Sequence, residues 1–148
     1  MKTKIKWIVI GIVLLISIQF FFAIYFNLLG IGGTNTSIDK TERILSHPEM
    51  MLIPILAAPL IEEFIFRFLL YRKNLKEPYG TITAVISSIL FGLVHGQSLS
   101  LTVPLILNGL IYCLIYKKGN SIWVSMITHG LYNAMILGIL TLTHIIKI

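Results

Sequence analysis

Polar residues interrupt this chain at wide intervals, and five apolar runs lie between them: Trp7–Leu29, Met50–Tyr71, Thr81–His95, Leu99–Tyr116 and Ser121–Leu142. A hydrocarbon core about 30 Å thick is crossed by roughly 20 helical residues. The pattern therefore predicts an all-α fold, a polytopic transmembrane helical bundle of about five spans. The third and fourth runs are short and joined only by Gly96-Gln97-Ser98. We read them as crossings whose ends extend by a turn, the alternative being a tight helical hairpin. The first run follows Met1-Lys2-Thr3-Lys4-Ile5-Lys6, which looks like the basic start of a signal peptide. It is too long for one, and no small-x-small cleavage site precedes Asn27, so a retained anchor helix is expected.

The polar connection Gly30–Glu49 carries Asp39, Lys40, Glu42, Arg43 and His47. It is expected to be an outside loop with a short helix after Thr41. Pro78-Tyr79-Gly80 marks a turn that ends an inner loop, Arg72–Gly80. The organisation is then residues 1–49 as anchor and extracytoplasmic loop, and residues 50–148 as the functional core.

Composition narrows the class. Hydrophobic residues make up 56% of the chain, charged residues 12%, and the mean hydropathy is +0.88. Soluble domains carry roughly a quarter charged residues, so a soluble enzyme, a nucleic-acid-binding domain and a disordered chain are all poor readings. The net charge of +6 is a topology signal. Of the 12 basic residues, Lys2, Lys4, Lys6, Arg72, Lys73, Lys76, Lys117 and Lys118 fall on one side of the expected spans, and Lys40, Arg43 and Lys147 on the other. Positive charge favours the inside, which makes the N-terminus cytoplasmic and leaves no separate basic patch for nucleic acid. Trp7, Tyr71, Tyr79, Tyr116 and Trp123 gather near the same interface, as an aromatic belt would. Cys113 is the one cysteine, so no intrachain disulfide and no cysteine metal cluster can form.

Ionisable groups inside a bilayer are expensive and mark functional sites. Here they are Glu62, Glu63 and Arg67 on the second span, His95 ending the third, and His129 on the fifth, with Asn108 and Asn133 as neutral companions. At 1.5 Å per residue, Glu62 and Glu63 lie ~12–13 Å from the inner end of their span, His129 ~12 Å, Asn133 ~18 Å and His95 ~21 Å. One band near mid-membrane predicts one shared site. Residues four apart share a helix face, so Glu63 can pair with Arg67, His129 points with Asn133, and Phe91 with His95. Arg67 would neutralise Glu63 and leave Glu62 able to exchange protons, as a general base must. The plainer readings are that Glu63–Arg67 is a structural pair and that His129 with Asn133 is interhelical glue. Asn108 is expected to bond across helices. Gly92, Gly109, Gly130 and Gly138 are expected to allow close approach.

A carboxylate and a histidine converging on a polar pocket can deprotonate a water, while a second histidine and an amide stabilise an oxyanion. Other membrane proteolytic chemistries do not fit. Asp39 is the sole aspartate and lies in the loop, no His-Glu-x-x-His zinc signature occurs, and no serine sits in a Gly-x-Ser-Gly setting.

The motifs are Glu62-Glu63-Phe64-Ile65-Phe66-Arg67, Phe91-Gly92-Leu93-Val94-His95 and His129-Gly130-Leu131-Tyr132-Asn133. Together, in this order and on successive apolar runs, they resemble the CAAX prenyl endopeptidase and bacteriocin-processing (CPBP, or Abi) family of intramembrane proteases, over about Met50–Leu142. The resemblance implies catalytic roles for Glu62 and His95 in activating water, and for His129 and Asn133 at the tetrahedral intermediate. It implies support from Glu63 and Arg67, with Phe91 as the further motif residue. Zn²⁺ or another divalent metal could be ligated by Glu62, His95 and His129, but no obligatory cofactor is expected. Members of the family generally have more helices, so the chain reads as a homo-oligomer, an unusually small enzyme or a degenerate relative. The intact motifs argue against the last.

The implied partners are the lipid bilayer and a membrane-associated peptide or protein substrate, with a bacterial plasma membrane as the location. Two other classes compete. A proton-coupled transporter would show a polar path to both membrane faces. A catalytically inactive immunity or binding protein would keep its protective effect in Glu62→Gln.

Overall fold

The computed structural model describes residues 2–30, 47–95 and 98–146. The expected helix after Thr41 and the side chains of Asp39, Lys40, Glu42, Arg43, Gln97, His144 and Lys147 lie outside the described residues. Helices α1 (Lys2–Leu28), α3 (Tyr79–His95), α4 (Leu99–Gly119) and α5 (Ile122–Ile146) are joined by a helical stretch, α2, over 48–70. They coincide with the five apolar runs, with ends displaced by up to five residues because a helix continues into polar flanks. Of these, α1 and the segment Ile122–Thr143 are long and apolar enough by length and composition to cross a membrane, and α3 is apolar but 17 residues long.

Contacts fix the order of the bundle. Gly11 on α1 faces Ile115 and Thr128, and Tyr132 Oη donates to Gln19 Oε1 at 3.1 Å, so α1 runs parallel to α5 and antiparallel to α4. Gly109 sits against Ser88, which makes α3 and α4 an antiparallel pair. The Asn133 amide bonds the Pro54 carbonyl, which makes α2 antiparallel to α5. The expected basic set, Lys2, Lys4, Lys6, Arg72, Lys73, Lys76, Lys117 and Lys118, thereby gathers at one end of the bundle.

The bundle buries a set of polar groups beside its apolar core and is apolar outside. Glu63, Arg67, Ser87, Ser88, Asn108, Ser125, Thr128 and His129 are buried, while Phe20, Ile61, Val94, Val103 and Ile127 stand exposed on their respective helices. Water would not tolerate such a surface, and lipid requires it. Tyr71 and Tyr116 depart from the expected belt: they are buried against each other, T-shaped at 6.1 Å, beside Cys113. Asn108, expected to bond across helices, is buried with its Oδ1 unpartnered among the described residues.

α2 is not a uniform α-helix. It opens as a 3₁₀ turn at Pro48–Met51, widens to π-winding at Ile53–Ala57, tightens to α at Ala58–Glu63, and widens again at Phe64–Leu70. The first widening has a local cause. The Ala58 N–H bonds the carbonyl of Ile53. The next bond in that register would reach Pro54 from residue 59, which is proline and has no N–H. The orphaned Pro54 carbonyl is met instead by Asn133 Nδ2 at 2.7 Å.

α3 begins on a side-chain cap. Glu77 Oε2 accepts from the Thr81 N–H at 3.0 Å and its hydroxyl at 2.6 Å, and Oε1 accepts from Lys117 Nζ at 3.1 Å. These bonds, Thr81 first, hold the carboxyl below its usual value of 4.5.

Two predictions follow from packing and capping. A Cβ on Gly109 would stand 2.9 Å from Ser88 Cα, whereas one on Gly138 would meet nothing within 4 Å, so the expected close approach at Gly138 is absent. Gly109→Ala should destabilise by about 1–3 kcal/mol and Gly138→Ala by less than about 0.5 kcal/mol, read by unfolding in detergent. Because folding depresses the Glu77 carboxyl, its contribution is present above its usual value and is lost as pH falls through the lower, folded one. Melting temperatures across that acid range should decline less steeply in Glu77→Gln than in the wild type.

Candidate active site

The α turn Ala58–Glu63, between the two widened stretches of α2, carries Glu62 and Glu63 toward different neighbours. Glu63 is fully buried. Its Oε2 lies 3.4 Å from Arg67 Nε and accepts the Ser125 hydroxyl, and its Oε1 lies 3.0 Å from His129 Nδ1. Arg67, also fully buried, has no hydrogen-bond acceptor among the described residues, so its tie to Glu63 is one of charge. Aromatic rings hold the rest of the guanidinium: Cζ is 4.5 Å from the Phe91 centroid, 5.3 Å from Tyr112 and 5.8 Å from Phe66. Ring faces carry partial negative charge and solvate a desolvated cation.

Glu62 is 19% exposed and stands between the two histidines. Its Oε1 is 3.1 Å from His95 Nε2, and its Oε2 is 3.7 Å from His129 Nε2. The other nitrogen of each ring is already committed. His95 Nδ1 lies 2.8 Å from the Phe91 carbonyl, which can only accept, so Nδ1 carries a proton. His129 Nδ1 donates to Glu63, whose charge is fixed by Arg67. Both Nε2 atoms are therefore the working nitrogens, and both face one carboxylate.

A shared platform sets the ring planes. Phe91 packs against His95 at 4.6 Å and edge-on to His129 at 5.9 Å, while Tyr112 stacks on His129 at 4.5 Å with 23° between planes. Gly130 admits the α2 backbone, since a Cβ there would stand 2.5 Å from the Ile55 carbonyl oxygen.

The structure thus brings Glu62, Glu63, Arg67, Phe91, His95 and His129 into one cluster. Asn133 lies one turn beyond His129 and spends one amide hydrogen on Pro54, leaving the second for another partner. Sequence reasoning did not single out Tyr112 or Ser125. Ser125 lies four residues before His129 on the same face, a signal the spacing rule could have used. Tyr112 carried only a lone hydroxyl within an apolar run. Among the described residues, no group of three or more His, Cys, Asp or Glu is arranged to hold a metal ion.

Comparison with known proteins gives one family. Residues 45–135, more than half the chain and the stretch holding every residue of this cluster, match the family model described as type II CAAX prenyl endopeptidase Rce1-like. No curated protein and no solved structure matches the chain.

The buried pair makes a direct prediction. Arg67→Met leaves the Glu63 charge without its counter-ion and should cost about 3–5 kcal/mol. Arg67→Lys should recover only part of it, because a compact, strongly hydrated ammonium is less well accommodated beside aromatic rings than a guanidinium. Thermal unfolding of both variants in the same detergent measures this.

Proposed function

The chain belongs to the Rce1-like family of type II CAAX prenyl endopeptidases, and on that premise we propose that it is an intramembrane endopeptidase with Glu62 as its general base. The observation that carries this reading is the Glu62 carboxylate set between two imidazole Nε2 atoms whose opposite nitrogens are held.

Charge arithmetic favours proton transfer at this point. With both histidines neutral, the half-buried Glu62 and the buried Glu63 and Arg67 together carry one net negative charge. One proton shared over Glu62, His95 and His129 brings it to zero, the state a low-dielectric interior favours. In the proposed reaction Glu62, paired with His95, takes a proton from water as the water oxygen bonds to the scissile carbonyl carbon. With the shared proton on His129 Nε2, the resulting oxyanion is stabilised by that Nε2–H and the second Asn133 amide hydrogen. The proton then passes to the amide nitrogen as the carbon–nitrogen bond breaks, giving an acid and an amine. Ser125, Glu63 and Arg67 act through His129 by fixing its tautomer.

The substrate is a peptide or protein in a membrane. A groove of about 310 Å³ between α2 and α5, lined by residues including Ile55, Pro59, Leu60, Met126, Ile127 and Gly130, the residue after His129 in the chain, supports an apolar substrate segment. We place the protein in a bacterial plasma membrane, all five helices spanning, with the basic end cytoplasmic. Peptide pheromones or bacteriocin precursors are then the substrate class.

Glu62, His95 and His129 supply donor atoms that suit Zn²⁺, and in the structure Glu62 stands against both histidines. The reaction proposed here runs on their acid–base chemistry and includes no obligatory metal.

The test is hydrolysis of a lipophilic peptide library by purified protein in detergent. Glu62→Ala and His129→Ala should each lose about 10²–10⁴-fold in kcat, and a chelator should leave the wild type unchanged. Equal cleavage by the variants would refute the site. Loss on chelation with recovery in Zn²⁺ would refute the metal-free route.

A further inference from the structure

Where α2 gives way to α3, away from the Glu62 cluster, the bundle carries a recess of about 300 Å³ lined by residues including Phe68, Tyr71, Arg72, Lys73, Leu75 and Tyr116. Its wall is the T-shaped pair Tyr71 and Tyr116. Its charge is Arg72 and Lys73. Lys73 Nζ is held 4.5 Å over the Tyr116 ring and donates to Asn120 Oδ1 at 2.7 Å, two neutral partners that fix the ammonium without cancelling it.

No ion pair among the described residues involves Arg72 or Lys73. The one carboxylate of this loop, Glu77, is already engaged by Lys117 and Thr81. The recess is therefore positively charged, and it lies at the end of the bundle that also bears Lys2, Lys4, Lys6, Lys76, Lys117 and Lys118.

An anion alone would need only the cations. This recess also opens onto an apolar strip, because Phe68 is exposed and stacks at 5.3 Å on Phe64, one turn further along α2 and exposed too. A charged rim continuous with an exposed aromatic strip matches one molecule with a charged head and an apolar tail.

We propose that the recess is a binding site for an anionic phospholipid, with its phosphate between Arg72 and Lys73 and an acyl chain along Phe68 and Phe64. The proposal rests on the membrane-embedded reading above. Two cations near an anionic headgroup correspond to roughly a thirtyfold preference. Bound lipid anchored here would also hold α2, the helix that carries Glu62, at a fixed height in the bilayer.

The experiment is native mass spectrometry of purified full-length protein in detergent with added phosphatidylglycerol, phosphatidylcholine or inorganic phosphate. Wild type is expected to retain phosphatidylglycerol about thirtyfold over phosphatidylcholine. Arg72→Gln with Lys73→Gln should abolish that preference, and the exposed single change Arg72→Gln should reduce it about fivefold. Lys2→Gln with Lys4→Gln removes the same charge from the same end and should leave the preference intact. Equal loss in that control would overturn the proposal in favour of diffuse surface charge. Displacement of phosphatidylglycerol by equimolar inorganic phosphate would overturn it in favour of a free-phosphate site. Glu62→Ala separates this claim from the enzymatic one, since it should keep the lipid and lose hydrolysis.

Discussion

A charged group sealed inside an apolar bundle must find its compensation within the bundle, and this requirement organises the protein around Glu63 and Arg67. Both are fully buried, and their attraction across 3.4 Å is reinforced by aromatic rings near the guanidinium and by Ser125 and His129 on the carboxylate. These partners come from α2, α3, α4 and α5. The pair thus fixes the relative positions of four helices that lipid alone would not hold together, since lipid tails are as apolar as leucine. Buried ion pairs are weak evidence for stability. Their value here lies in position: with Glu63 neutralised and holding His129, the neighbouring Glu62 is left to face two histidine nitrogens.

The unusual winding of α2 serves the same arrangement. A wider helix turn orphans the Pro54 carbonyl beside Pro59, and Asn133 of α5 fills the vacancy. One turn along α5, Gly130 lets the α2 backbone approach where any Cβ would collide. An α5 helix anchored at Asn133, thinned at Gly130 and bonded to Glu63 at His129 and Ser125 has little freedom to rotate. Widened turns of this sort are rare and gather at functional sites, and here one lies on each side of the two carboxylates.

Much of this was legible in the sequence, for a physical reason. Hydrophobicity alone locates apolar helices, so the five apolar runs coincide with the five helical stretches. The expense of charge in lipid made Glu62, Glu63, Arg67, His95 and His129 conspicuous, and four-residue spacing grouped them. What escaped were contacts set by geometry rather than polarity. Tyr112 and Ser125 are ordinary residues that matter only because α4 and α5 bring them against His129 and Glu63. Tyr71 and Tyr116 have the composition of an interfacial belt, but packing turned them inward. Gly138 looks like the other helix glycines and faces open space, whereas Gly11, which meets α4 and α5, carried no distinguishing mark. Winding changes in α2 depend on which carbonyl lacks a partner, and no periodicity reports that.

The central claim is that Glu63 holds His129 with its proton on Nδ1 and so turns Nε2 toward Glu62. Nitrogen-15 NMR of histidine-labelled protein in detergent tests this most directly. The account predicts a His129 Nδ1 that is protonated and hydrogen-bonded, and predicts that Glu63→Gln disturbs this signal. A neutral His129 with its proton on Nε2, unchanged in Glu63→Gln, would contradict it.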